Sequence, residues 1–194
     1  MTYGFGMRSE MRRLGATAAV VAAVLCLGAC APEDPGPKPS PDPTLTPLFA
    51  SDEEALAAAE EAYGRYQTVE DEVFAAGGAG SERIEEVAVR DALEAARLGF
   101  EEAASQGFRG VGRTKFDSFE LQQVAQNADV EDVVLAYVCL DFSESDILNQ
   151  QNVSIVNPDR LIRQAFQVSF DYEVDTKVLV LAARDPWTGT DSCG

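Results

Sequence analysis

Residues 133–141, VVLAYVCLD, decide the fold. Successive side chains of a strand point to opposite faces. Here both sets are apolar: Val133, Leu135, Tyr137 and Cys139 on one side, Val134, Ala136, Val138 and Leu140 on the other. A strand apolar on both faces is covered on both, so this one is central. Downstream, in 162–172, Ile162, Phe166, Val168, Phe170 and Tyr172 alternate with Arg163, Gln167, Ser169 and Asp171, which predicts a strand with one buried and one wet face. Residues 177–183 predict another strand, and 115–125 a weaker one around Phe119 and Leu121. Further upstream the period turns helical. Ser51 and Glu54 form a capping box, followed by Leu56, Ala59, Tyr63, Tyr66 and Val73 at helical spacing up to a stop at Gly77-Gly78. A second helical region opens at Ser81, carries Ile84, Val87, Leu93, Ala96 and Phe100, is expected to break near residues 89–91, and ends at Gly107. Helices followed by consecutive strands predict an α+β domain over 51–194, with N-terminal helices packed on an antiparallel sheet of about four strands.

Ahead of this domain lie two segments of different character. Residues 14–29 carry no charge and follow Arg8, Arg12 and Arg13. The run is shorter than the roughly 20 residues that span a bilayer, and its order of basic, apolar and small residues is that of an export signal. Met1, Met7 and Met11 are all candidate starts. The stretch Leu27-Gly28-Ala29-Cys30 resembles the lipobox of bacterial lipoproteins: an aliphatic residue, two small ones and a cysteine. The resemblance implies that residues 1–29 are removed and that Cys30 carries lipid, since a thiolate is the nucleophile such thioether chemistry needs. Acylation with more than one chain would make the membrane a stable partner. Residues 31–47 then hold seven of the nine prolines, spaced by Asp, Glu, Lys and Ser. So little apolar surface cannot offset ordering entropy, which makes 30–50 an extended tether.

The formal charge of the chain is −18, and losing Arg8, Arg12, Arg13 and Glu10 with the signal takes it to −20. That balance argues against nucleic acid as a partner and against binding anionic lipid through a basic patch. Cys26 leaves with the signal and Cys30 is assigned to lipid, so Cys139 and Cys193 remain as an even pair in an oxidising compartment, where a disulfide is the default expectation.

The lipobox, the element order, "SERI" at 81–84, "YVCLD" at 137–141 and the ending "DPWTGTDSC" at 185–193 together resemble small lipoproteins of high-GC Gram-positive bacteria with a nuclear transport factor 2-like domain. The resemblance implies a strongly curved sheet that makes a cone under its helices, and a Cys139–Cys193 bridge. It implies no activity, because that fold carries enzymes and binding modules alike.

The chain contains no histidine. That removes Asp-His dyads, Ser-His-Asp triads and histidine-based metal sites, and no metal or other cofactor is expected. Tyr63, Tyr66, Tyr137 and Tyr172 are candidate pocket-lining residues, since a carboxylate with tyrosine donors would suffice for isomerase-like chemistry; the competing expectation is that they pack the core. "DFSESD" at 141–146 lacks the glycine and glutamate of a calcium loop, and "GFRGVGR" at 107–113 lacks the Lys-Ser/Thr of a phosphate loop. The expected function is therefore non-enzymatic: a binding or scaffolding domain lipid-anchored on the outer face of the cytoplasmic membrane, with a cell-envelope protein as its partner. The alternative is a small-molecule-binding protein, or a histidine-free isomerase-like or dehydratase-like enzyme, that uses the interior of the cone.

Overall fold

The computed structural model describes residues 47–189 and Cys193. The signal (1–29), Cys30 and the tether up to residue 46 lie outside the described residues. Helix α1 (Asp52–Ala75) starts where the capping box places it, with Ser51 Oγ accepting from the Glu54 backbone N–H at 3.3 Å and Glu54 Oε2 accepting from the Ala50 N–H at 2.7 Å. Its buried stripe is Ala55, Ala59, Ala62, Tyr63, Tyr66, Gln67, Glu70 and Val73, so the first half of the helix approaches the sheet through alanines rather than through Leu56, which is only half-buried. A 3-10 turn (Ser81–Glu86) buries Ile84, and helix α2 (Arg90–Gln106) buries Ala92, Ala96, Phe100 and Ala103. Gly107 closes α2 at φ 68° with its N–H donating to the Ala103 carbonyl, the left-handed cap that glycine adopts without strain.

The break between the turn and α2 has a structural reason. Residues 87–89 pair with the edge of the last strand: the Val89 N–H donates to the Leu181 carbonyl at 2.8 Å, and the Leu181 N–H to the Val87 carbonyl at 3.0 Å. The edge of that strand is therefore paired at Leu181.

Six strands follow: β1 (Arg109–Gly112), β2 (Lys115–Val124), β3 (Val134–Asp141), β4 (Ser145–Leu148), β5 (Arg163–Glu173) and β6 (Val178–Pro186). The main sheet is antiparallel in the order β2-β3-β5-β6, and β1 pairs with β4 in a separate two-stranded sheet. The expected four-stranded α+β architecture is present, with the β1–β4 ribbon as an addition. Strands of four residues with no fully buried side chain carry too short a period to stand out in a sequence.

Bulges set which side chains face the helices. In β2 the apolar residues Phe116, Phe119, Leu121 and Val124 are not evenly spaced. Register shifts between Asp117 and Glu120 and between Leu121 and Gln123 turn all four toward the core. A third shift lies between β5 and β6, where Leu181 faces Phe170, Ala183 faces Ser169 and Arg184 faces Val168. Phe170 and Val168 belong to the core, so the extra residue, Ala182, carries Arg184 round to the helix side of the sheet.

The core under the helices holds Val134, Ala136, Val138 and Leu140 of β3, with Val133 joining it just before the strand begins. The opposite face of β3 is covered by the C-terminal segment. Trp187 stacks on Tyr137 with ring centroids 4.6 Å apart, and Cys193 is bonded to Cys139 with 5.5 Å between Cα atoms. The outer face of β5 is accordingly less wet than its alternation suggests: Ser169 is buried and Gln167 half-buried. Ile162, counted above as an inward residue, lies before β5 and is 58% exposed.

Candidate functional site

A pocket of about 280 Å³ opens between α1, the β1–β4 ribbon and the ends of β3, β5 and β6. Its walls are apolar: Phe74 from α1, Val111 from β1, Leu140 from β3, Phe142, Ile147 from β4 and Phe166 from β5. Gly110 and Gly112 bring β1 close enough to form one side. Gly112 sits at φ 76°, where a side chain would also collide with the Glu144 carbonyl oxygen, so this position requires glycine. The "GFRGVGR" and "DFSESD" stretches, neither of which holds a phosphate or calcium motif, thus supply residues of two walls.

The floor is charged. Glu70 on α1, 8% exposed, accepts two hydrogen bonds from Arg184 on β6, Nη2 to Oε1 at 2.7 Å and Nη1 to Oε2 at 2.9 Å. Tyr66 Oη donates to Glu70 Oε1 at 2.8 Å, and Gln67 Nε2 donates to Oε2 at 3.2 Å. Arg184 also lies over the Tyr66 ring, 5.2 Å from its centroid. A buried carboxylate is tolerable only when its lone pairs are filled in this way. Burial works against the Arg184 charge, but the Glu70 carboxylate outweighs it and holds the guanidinium firmly protonated.

Tyr63 lies fully buried beside this pair, and burial first, then the Glu70 charge, pushes its phenol up to about 12 against the opposing pull of Arg184. Tyr66 is raised for the same leading reason. Because the folded protein holds these protons more tightly than the unfolded chain, their contribution to stability is complete below pH 10 and is lost as pH rises toward 12. Unfolding free energy from denaturant titrations is expected to be level up to about pH 10, then to fall by about 2–3 kcal/mol by pH 12 from Tyr63 alone. Tyr63→Phe should make that alkaline decline shallower; an unchanged slope would show that Tyr63 is not the titrating group.

The four candidate tyrosines are not brought together. Tyr63 and Tyr66 pack under α1, Tyr137 stands on the opposite face of β3 against Trp187, and Tyr172 is half-buried against the core. None of them lines the pocket described above. The reason is the strand period: Tyr137 is offset by one residue from the inward set of Ala136 and Val138. Cys139 and Cys193 form the disulfide described above, away from the pocket, and Cys30 lies outside the described residues.

The sequence reading missed Glu70 and Arg184. Glu70 did leave a signal, since it occupies the same helical stripe as Tyr63, Tyr66 and Val73, where an acid demands a buried cation. Asp71, the next residue, also borders the pocket and accepts from Gln67 Nε2 at 3.2 Å. It is half-buried, and that burial, helped by the charge of Glu70, raises its carboxyl above the usual range. Arg160 donates Nη2 to the Phe142 carbonyl at 2.9 Å and also to the Ser145 carbonyl. Among the described residues no group of three or more His, Cys, Asp or Glu could hold a metal ion, and no helix is long and apolar enough to cross a membrane.

No protein-family model matches the chain, and no curated protein sequence does. Among solved structures, the intermembrane space region of the chloroplast protein ARC6 is similar with a TM-score of 0.50 and 14% identity, over 68% of this chain and 95% of that one. Aln2 from a Streptomyces species aligns with a TM-score of 0.42 and 16% identity, over 71% of this chain and 92% of that one. The first likeness shows a shared α+β fold and nothing of activity.

Proposed function

We propose that the protein is a non-enzymatic binding domain, held by a lipidated Cys30 on the outer face of the cytoplasmic membrane, whose pocket takes one small, mostly apolar molecule. The lipobox resemblance and the proline-rich tether support the anchoring, and the resemblance to nuclear transport factor 2-like lipoproteins agrees with the helix-on-sheet order. The observation that carries the binding function is the pocket itself. Its roughly 280 Å³ lies close to the lower end of ligand pockets, about 300–1,000 Å³, and it pairs apolar walls with a few polar groups on the floor. This favours a small-molecule ligand over a purely protein-protein scaffold.

The wiring of the floor supports the non-enzymatic reading. Glu70 already accepts from Arg184, Tyr66 and Gln67, and the raised phenols of Tyr63 and Tyr66 are poor acids at neutral pH. The test is to fill the pocket. Ile147→Trp on the short ribbon is expected to abolish the fluorescence gain of an environment-sensitive apolar dye added to the wild type, while unfolding free energy changes by less than about 1.5 kcal/mol. Equal dye binding by both proteins would exclude this pocket as the binding site.

A further inference from the structure

We infer that a polar cleft beside the apolar pocket is a second binding site, for a small α-amino acid whose ammonium donates to Gln67 Oε1 and whose carboxylate meets Arg113. The cleft, of about 160 Å³, lies between Gly64, Gln67 and Asp71 on α1 and Arg113, Thr114 and Phe116 at the turn into β2. That volume is many times the roughly 10–15 Å³ that one water needs, so there is room for a ligand. Gln67, 4% exposed, commits Nε2 to both Glu70 and Asp71, so its amide cannot turn over without setting its oxygen against two carboxylates. That leaves Gln67 Oε1 buried with no hydrogen bond, and a buried acceptor without a donor is costly. Gln67 lines this cleft and not the apolar pocket, so a donor for it enters from here.

The opposite wall lacks an anion. Although acids outnumber bases 33 to 15 in the chain, Arg113 forms no ion pair among the described residues. Asp71 does not fill that role. Burial raises its carboxyl, while the hydrogen bonds from Gln67 and the Thr114 backbone N–H and the charge of Arg113 pull the other way, yet Arg113 stands beyond the roughly 4 Å of an ion pair. Glu72, also at the cleft, is held by Arg83 at 2.7 Å. An acceptor without a donor on one wall and a guanidinium without a carboxylate on the other call for one molecule that carries N–H donors and a carboxylate a short distance apart. An α-amino acid carries both on one carbon. Phe116 offers only a small apolar face, which suits a short side chain, and a zwitterion of zero net charge is not repelled by a chain of charge −18.

The test titrates glycine and both enantiomers of alanine calorimetrically against the full chain carrying Cys30→Ser, so that no detergent competes. Each is compared with its amide, which lacks the carboxylate, and its N-acetyl derivative, which lacks the ammonium. At least one free amino acid is expected to bind about tenfold or more tighter than both of its derivatives. Arg113→Gln, an exposed change outside the apolar pocket, should bring that amino acid down to the level of its amide while dye binding in the apolar pocket is unchanged. Gly64→Leu should block the cleft; a Cβ there meets only the Phe116 ring, at 3.6 Å, so the helix can carry it. Binding of a derivative as tightly as the free amino acid, or full binding by Arg113→Gln, would overturn the zwitterion assignment. Failure of all three amino acids to bind would mean that water alone fills the cleft and would overturn the site, while the apolar pocket stands or falls by its own dye measurement.

Discussion

Replacing both Cys139 and Cys193 by alanine is expected to lower the unfolding free energy by about 4 kcal/mol, the largest effect of any change considered for this domain. The bond joins residues separated by 54 positions, and closing a loop of that length removes much of the entropy of the unfolded chain. What it holds in the folded state is the covering of the outer sheet face. Arg163 Nε donates to the Cys193 carbonyl at 2.9 Å while its two terminal nitrogens grip Asp117, so the bridge, Arg163 and the Trp187–Tyr137 stack form one seam across β2, β3 and β5. Urea titration of wild type and double variant in the absence of reductant measures the loss. A change below about 1 kcal/mol would mean that the noncovalent part of the seam is sufficient by itself.

Arg184→Met is expected to cost about 3 kcal/mol, because it strands Glu70 as a buried carboxylate with only Tyr66 and Gln67 for company. The value sits at the lower end for a broken buried pair, since the Arg184 side chain keeps a quarter of its surface exposed and water partly screens the site. Adding Glu70→Leu should restore most of the loss, as an apolar pair of similar volume costs no desolvation. A double-mutant cycle by denaturant unfolding separates the two outcomes. If the double variant remains as unstable as the single one, the cost lies in lost packing over the Tyr66 ring rather than in the orphaned charge.

Much of the domain was legible in the sequence because it depends on local chemistry. The capping box at Ser51 and the glycine at 107 bound helices wherever they occur, since they satisfy backbone groups within a few residues. The doubly apolar run at 133–141 could only be a central strand, and the even cysteine pair pointed to the bond that is observed. The weak signal at 115–125 has a physical explanation too. Phe116, Phe119, Leu121 and Val124 break the period of two, and only the bulges of β2 bring them onto one face.

The pocket is of another kind. One side of it comes from strands too short to announce themselves, and its charged floor needs Glu70 and Arg184 to meet across 114 residues. By simple alternation from Leu181, Ala183 would face the core and Arg184 the outside; one extra residue in β6 reverses this. The sequence by itself determined the helices, the central strand and the buried stripe that includes an acid, because these follow from spacing along one segment. Where that acid finds its cation, and that a cavity remains beside the pair, was decided only by tertiary structure, because strand register and bulge position depend on the whole sheet packing at once.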